Sequence, residues 1–129
     1  MVLKSSKIVI LLLIFLYLSN FSNADFGTYS EKPSINVCRC SQADDIIKIK
    51  NTGEQLTKYT LISNLDFVTL TPSEFQLEAG DIKNVKIEIN APCKNSKKNL
   101  IINIQSDKED NDDIVKQLTI GQCQNLQTR

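Results

Sequence analysis

The sequence contains no histidine and no tryptophan, its one methionine is Met1, and its 129 residues include only four glycines and three prolines. Each scarcity excludes something. Without histidine there is no Ser-His-Asp or Cys-His nucleophile, and the commonest general base and metal ligand is missing. Copper sites of the cupredoxin kind need histidine and usually methionine. Four scattered glycines leave no phosphate-cradling loop. Fifteen basic residues are balanced by fifteen acidic ones, so no basic stripe marks a nucleic-acid partner. The lack of tryptophan weakens any sugar-platform reading of Tyr59, Phe67 and Phe75, which are expected as core or sheet-edge aromatics. The sequence therefore predicts a non-enzymatic protein with no cofactor and no nucleic-acid partner.

The amino-terminal end carries an address. Lys4 and Lys7 precede an apolar run, Ile8 to Leu18, of h-region length, and Ser22 and Ala24 are small residues spaced for cleavage after Ala24. Residues 1–24 are expected to be a signal peptide. The rival, an uncleaved anchor, falls short of the roughly 20 apolar residues a spanning helix needs. No other run is long enough, so no membrane span is expected in the mature chain. The sequence leaves open whether that chain is released, held outside the cell by a partner, or part of something longer. The expected location is secreted or at the cell surface.

From Asp25 onward the pattern alternates with period two. Val85, Ile87 and Ile89 interleave with Asn84, Lys86, Glu88 and Asn90; Leu100, Ile102 and Ile104 repeat the pattern, as do Ile47 with Ile49 and Leu118 with Ile120. Asn51-Thr52-Gly53, Glu78-Ala79-Gly80-Asp81 and Pro92 punctuate these runs. Strands are expected at about 34–40, 45–51, 56–63, 66–78, 82–90, 98–106 and 113–121, with Pro72 breaking the fourth as it passes between sheets. Seven short strands and no helical stripe predict an all-β, Ig-like, Greek-key sandwich. The expected layout is an N-terminal tail at 25–33, the sandwich at 34–123 and a polar C-terminal tail at 124–129.

Residues 45–92 carry a resemblance. Ile47-Lys48-Ile49-Lys50-Asn51-Thr52-Gly53, then Pro72, Leu77-Glu78-Ala79-Gly80-Asp81, Val85-Lys86-Ile87-Glu88-Ile89 and Pro92 resemble the strand, turn and closing proline of extracellular Ig-like modules. These are the NPCBM-associated and CARDB-like domains of archaeal and bacterial surface proteins; major-sperm-protein-like sandwiches share the pattern. The resemblance implies a sandwich with a binding or spacer role and carries over no functional residues.

Four cysteines, Cys38, Cys40, Cys93 and Cys123, in an exported chain read as disulfides. Alternating strand direction gathers all four at one pole, here called the lower. A Cys38–Cys40 bridge is excluded, because those Cα atoms lie about 6.5–7 Å apart on an extended strand. Two pairings remain: Cys38–Cys93 with Cys40–Cys123, or Cys38–Cys123 with Cys40–Cys93. The chemical alternatives are a Cys₄ zinc site, disfavoured by the Cys-x-Cys spacing, and a redox dithiol, disfavoured by the lack of Cys-x-x-Cys.

The upper pole is expected to gather three loops, which commonly carry binding residues. Their carboxylates are Glu54, Glu78, Asp81, Asp107, Glu109, Asp110, Asp112 and Asp113. The run Asp107, Glu109, Asp110, Asp112 and Asp113 has the oxygen spacing of a calcium loop without the glycine and distal glutamate of an EF-hand; a solvated hairpin tip is the simpler expectation. Lys32, Arg39, Lys94, Lys97, Lys98 and Arg129 are expected at the lower pole, so weak head-to-tail self-association is a further expectation. The function expected is protein binding or structural, adhesive assembly at a cell surface. The alternatives are a secreted inhibitor or ligand-binding protein using the acidic loops, a metal- or redox-handling protein using the cysteines, and an assembly chaperone acting by strand addition.

Overall fold

A computed structural model describes residues 25–123. The expected signal segment and the tail from residue 124 lie outside the described residues, as does Arg129. Nine strands and no helix are present among the described residues: β1 (Phe26–Ser30), β2 (Ser34–Cys38), β3 (Gln42–Asn51), β4 (Thr57–Ser63), β5 (Val68–Thr71), β6 (Glu74–Leu77), β7 (Ile82–Asn90), β8 (Ser96–Ser106) and β9 (Asn111–Gly121). They form two sheets, β1-β3-β7-β5 and β2-β9-β8-β4-β6. Every pairing is antiparallel except β2 with β9, which is parallel.

The period-two pattern is the reason for the two layers. Ile47 and Ile49 of β3, Val85, Ile87 and Ile89 of β7, Leu100, Ile102 and Ile104 of β8, and Leu118 and Ile120 of β9 are buried in one shared core. Their neighbours in sequence face water. Tyr59 is fully buried, while Phe67 and Phe75 pack half-buried against the core.

The strand count corrects the expectation of seven. Pro72 does divide the 66–78 stretch between sheets, which makes two strands, β5 and β6. Residues 26–30, expected as tail, form β1, paired to β3 with Phe26 opposite Asn51 and Ser30 opposite Ile47. Glu31-Lys32-Pro33 then carries the chain across to the other sheet, where β2 adds beside the lower half of β9. The first strand is thus split between sheets. Lys32 sits at this crossover and not at the lower pole.

Lys116 pins the crossover. It lies on the inward face of β9, in phase with Ile114, Leu118 and Ile120, and its side chain is 1% exposed. Its Nζ reaches Asp45 Oδ2 of the opposite sheet at 2.5 Å and donates to the Lys32 carbonyl at 2.9 Å.

Candidate functional site

Both poles are built by strand direction. β3, β6 and β8 end at the upper pole, where the 52–56, 78–81 and 107–110 loops lie beside the start of β1. Backbone hydrogen bonds join the 52–56 and 78–81 loops and the start of β1, and the Asp110 side chain ties the 107–110 loop to Asp25. The Asn51 N–H donates to the Asp81 carbonyl (3.0 Å), the Gly80 N–H to the Asn51 carbonyl (2.8 Å), and the Thr52 and Gly53 N–H groups to the Asp25 carbonyl (both 3.1 Å). Gly80 has φ of +85°, a turn geometry that glycine adopts at little cost.

Asn51, which reads from sequence only as a turn residue, is the organiser of this pole. Its fully buried amide donates to the Gln55 and Leu77 carbonyls (2.8 and 2.9 Å) and accepts from the Gly53 N–H (3.0 Å). The signal was a polar residue in phase with Ile47 and Ile49 on the core face of β3.

The sequence-chosen carboxylates gather at this end but do not converge on one point. Asp107 accepts from the Lys58 N–H at 3.2 Å, Asp110 from the Asp25 N–H at 3.0 Å, and Asp113 from the Asn103 amide at 2.7 Å. Asp112 accepts from the N–H of Asp113. Three carboxylates of the run are thus turned toward three different donors. No group of three Asp, Glu, Cys or His among the described residues is placed to hold a metal ion. Glu54, Glu78, Asp81 and Glu109 are exposed. A recess of about 420 Å³ opens here, lined by Asp25, Thr52, Gly53, Glu54, Gln55, Thr57 and Lys108.

Tyr59 lies in the core at this end, its ring edge-on to Phe26. Its hydroxyl has no hydrogen-bond partner among the described residues. Burial raises the phenol pKa above its ordinary value; Thr57 works against this, while Asp110, Asp107 and Asp25 add to it.

At the lower pole the structure joins Cys38 to Cys123 and Cys40 to Cys93, with Cα atoms 5.3 and 4.4 Å apart. Parallel pairing decides between the two open pairings. Cys38 lies opposite Gly121 in the register of β2 with β9, two residues from Cys123. Cys40 donates its N–H to the Pro92 carbonyl at 3.2 Å, beside Cys93. The first bridge ties the ends of β2 and β9 in one sheet. The second ties the start of β3 to the segment after β7 in the other, so Cys38-Arg39-Cys40 staples the sheets together. No cysteine among the described residues is free.

A third feature is a groove of about 790 Å³ on the outer face of the β1-β3-β7 layer, where Tyr29, Ile46 and Ile82 are each about half exposed (52%, 54% and 54%) beside Lys48 and Asp44. Sequence alternation turns Ile46 outward with Lys48 and Ile82 outward with Asn84, but does not bring Tyr29 beside them.

No family model matches the sequence, and no curated protein does either. Solved structures match in fold. The PapD-like domain 7 of human CEP192 is similar with a TM-score of 0.61 and 12% identity, over 82% of this chain and 92% of that one. A family 123 glycoside hydrolase from Clostridium perfringens gives 0.64 and 10% over 77% of this chain, which spans only 28% of the enzyme. WR4, a Caenorhabditis elegans MSP family member, gives 0.52 and 12% over 76% of this chain and 99% of that one. The protein has a PapD-like and MSP-like β-sandwich fold.

Proposed function

We propose that the protein is an exported, non-enzymatic Ig-like module that binds another protein through its acidic upper pole. The observation that carries this reading is the way Asn51 and Asp25 lock three loops into one rigid end while Glu54, Glu78, Asp81 and Glu109 stay exposed. Rigid loops on a stapled scaffold lose little entropy on binding. Two disulfides support an oxidising compartment. The pattern of residues 45–92 supports kinship with NPCBM-associated or CARDB-like surface modules.

Export predicts its own signature. Cleavage after Ala24 turns the Asp25 N–H that Asp110 accepts at 3.0 Å into an ammonium, and the contact into an ion pair. Intact-mass analysis of protein recovered outside the cytoplasm is expected to show a chain starting at Asp25 and lighter by four hydrogens. A cytoplasmic protein with four free thiols overturns the export reading.

Binding is tested by a photo-cross-linking amino acid placed in the producing cells at Glu54, Glu78 or Glu109, and at Ile46 and Ile62 on the two outer faces. Adducts are expected at the three loop positions and absent from Ile62. Adducts confined to Ile46 move the binding surface to the groove and overturn the assignment to the loops. Their absence at every position overturns the binding reading.

A further inference from the structure

We infer that the partner of the acidic end is a second copy of this chain, whose basic tip at Cys38–Ser41 seats in the recess beside Asp25 and Glu54. This rests on the binding-module reading and names its partner.

The tip is a rigid projection. Arg39 is exposed between two bridged cysteines, its N–H held by the Gly121 carbonyl at 2.9 Å. Cys40 adopts φ of +58°, and the Ser41 hydroxyl closes the turn onto the Cys38 carbonyl. A left-handed residue that is not glycine is uncommon, and here two bridges and two backbone hydrogen bonds hold it. Lys94 follows Cys93, whose Cα is 4.4 Å from that of Cys40, so the chain carries a second cation at the same end as Arg39. The acidic residue among the loops of this end is Asp66.

The socket is concave and of opposite sign. Asp25 and Glu54 line it with Lys108, and Asp107, Glu109 and Asp110 stand on the adjoining turn. The ammonium created by export is taken up by Asp110, which leaves Glu54 free. The unpartnered Tyr59 hydroxyl lies buried near Thr57 of its wall.

Distance keeps the two ends from cancelling. β3 starts one residue after Ser41 and ends at Asn51, so its ten residues separate tip from socket by roughly 33 Å. That exceeds the Debye length of about 10 Å at 0.1 M salt, so each pole presents its own sign to a neighbour. Like poles repel and unlike poles attract. A contact between unlike ends is heterologous and does not close at two copies.

The test uses the exported protein with its disulfides intact, by sedimentation velocity and light scattering. The wild type is expected to gain mass with concentration past the dimer at about 50 mM salt, and to weaken at least about tenfold by about 500 mM. Arg39→Glu loses the tip and Glu54→Arg loses the socket, so each alone stays monomeric. Mixed in equal amounts, the native tip of one meets the native socket of the other and the reversed tip meets the reversed socket, so the mixture assembles again past the dimer. The double variant R39E/E54R, with both signs reversed, regains association. Both positions are exposed surface, and an unchanged melting temperature shows that the variants fold.

A wild type monomeric at low salt, single variants that assemble like the wild type, or a mixture that stays monomeric overturns the inference. If the loop positions cross-link to a different protein while the purified chain stays monomeric, self-assembly fails and the binding-module reading stands.

Discussion

Lys116→Ala is expected to cost about 3–5 kcal/mol, the usual result of removing one partner of a buried ion pair. The melting temperature is expected to fall by roughly 4–8 °C for each kcal/mol in a domain of this size. The magnitude follows from where the ammonium sits. It is 1% exposed, its carboxylate partner Asp45 is 11% exposed and comes from the opposite sheet, and its second acceptor is the Lys32 carbonyl in the crossover. Alanine leaves Asp45 without its cation, the carbonyl without its donor, and a void where the lysine stem packed. Lys116→Met keeps most of the stem and isolates the electrostatic part. Replacing both members, as K116M/D45L, removes the desolvated charges together and is expected to lie closer to wild type than either single change. Calorimetric melting of the wild type, K116A, K116M, D45L and K116M/D45L checks this. A double variant as unstable as the sum of the singles overturns the coupling between Lys116 and Asp45.

Removing either disulfide is expected to cost about 2–5 kcal/mol, with different local consequences. The bridged cysteines are 85 and 53 residues apart in sequence, so the chain-entropy model makes the two nearly equal, on the order of 4–5 kcal/mol each. Local structure separates them. β2 is five residues long and parallel to β9, and Cys38–Cys123 fastens its end. With Cys38 and Cys123 both serine, β2 is expected to fray, and hydrogen exchange of Ile35 and Val37 is expected to accelerate ahead of the rest. Cys40–Cys93 closes the foot of the nine-residue register of β3 with β7, which holds without it. The C40S/C93S variant is expected to lose global stability without local fraying. Equal exchange patterns in the two variants overturn this assignment, and retained stability in both overturns the structural role of the bridges.

The legibility of this chain is uneven for physical reasons. Strands with one buried face announce themselves, as Val85-Lys86-Ile87-Glu88-Ile89 does, because the side-chain period is two. The same rule applied to Ile114, Lys116, Leu118 and Ile120 places Lys116 in the core, and applied to Asp45, Ile47, Ile49 and Asn51 it places Asp45 and Asn51 there as well. These three polar residues were legible as exceptions in phase with the apolar face. β1 was not legible: Phe26-Gly27-Thr28-Tyr29-Ser30 has little alternation, and its pairing is fixed by β3. In the run Asp107 to Asp113, spacing along the chain does not say where each carboxylate turns: backbone N–H groups engage Asp107, Asp110 and Asp112, and the Asn103 amide engages Asp113.

The cysteines show where the boundary falls. Their number and the alternating strands around them were enough to read a disulfide-stapled sandwich with all four thiols at one end, since strand direction follows from strand order. Which thiol meets which was decided by the parallel addition of β2 to β9, a pairing between segments about 80 residues apart. The tip around Arg39, the recess beside Glu54 and the Lys116–Asp45 pair likewise belong to the tertiary structure alone. Local pattern fixes which face of a strand is buried; only the packing of one sheet on another fixes what that face meets.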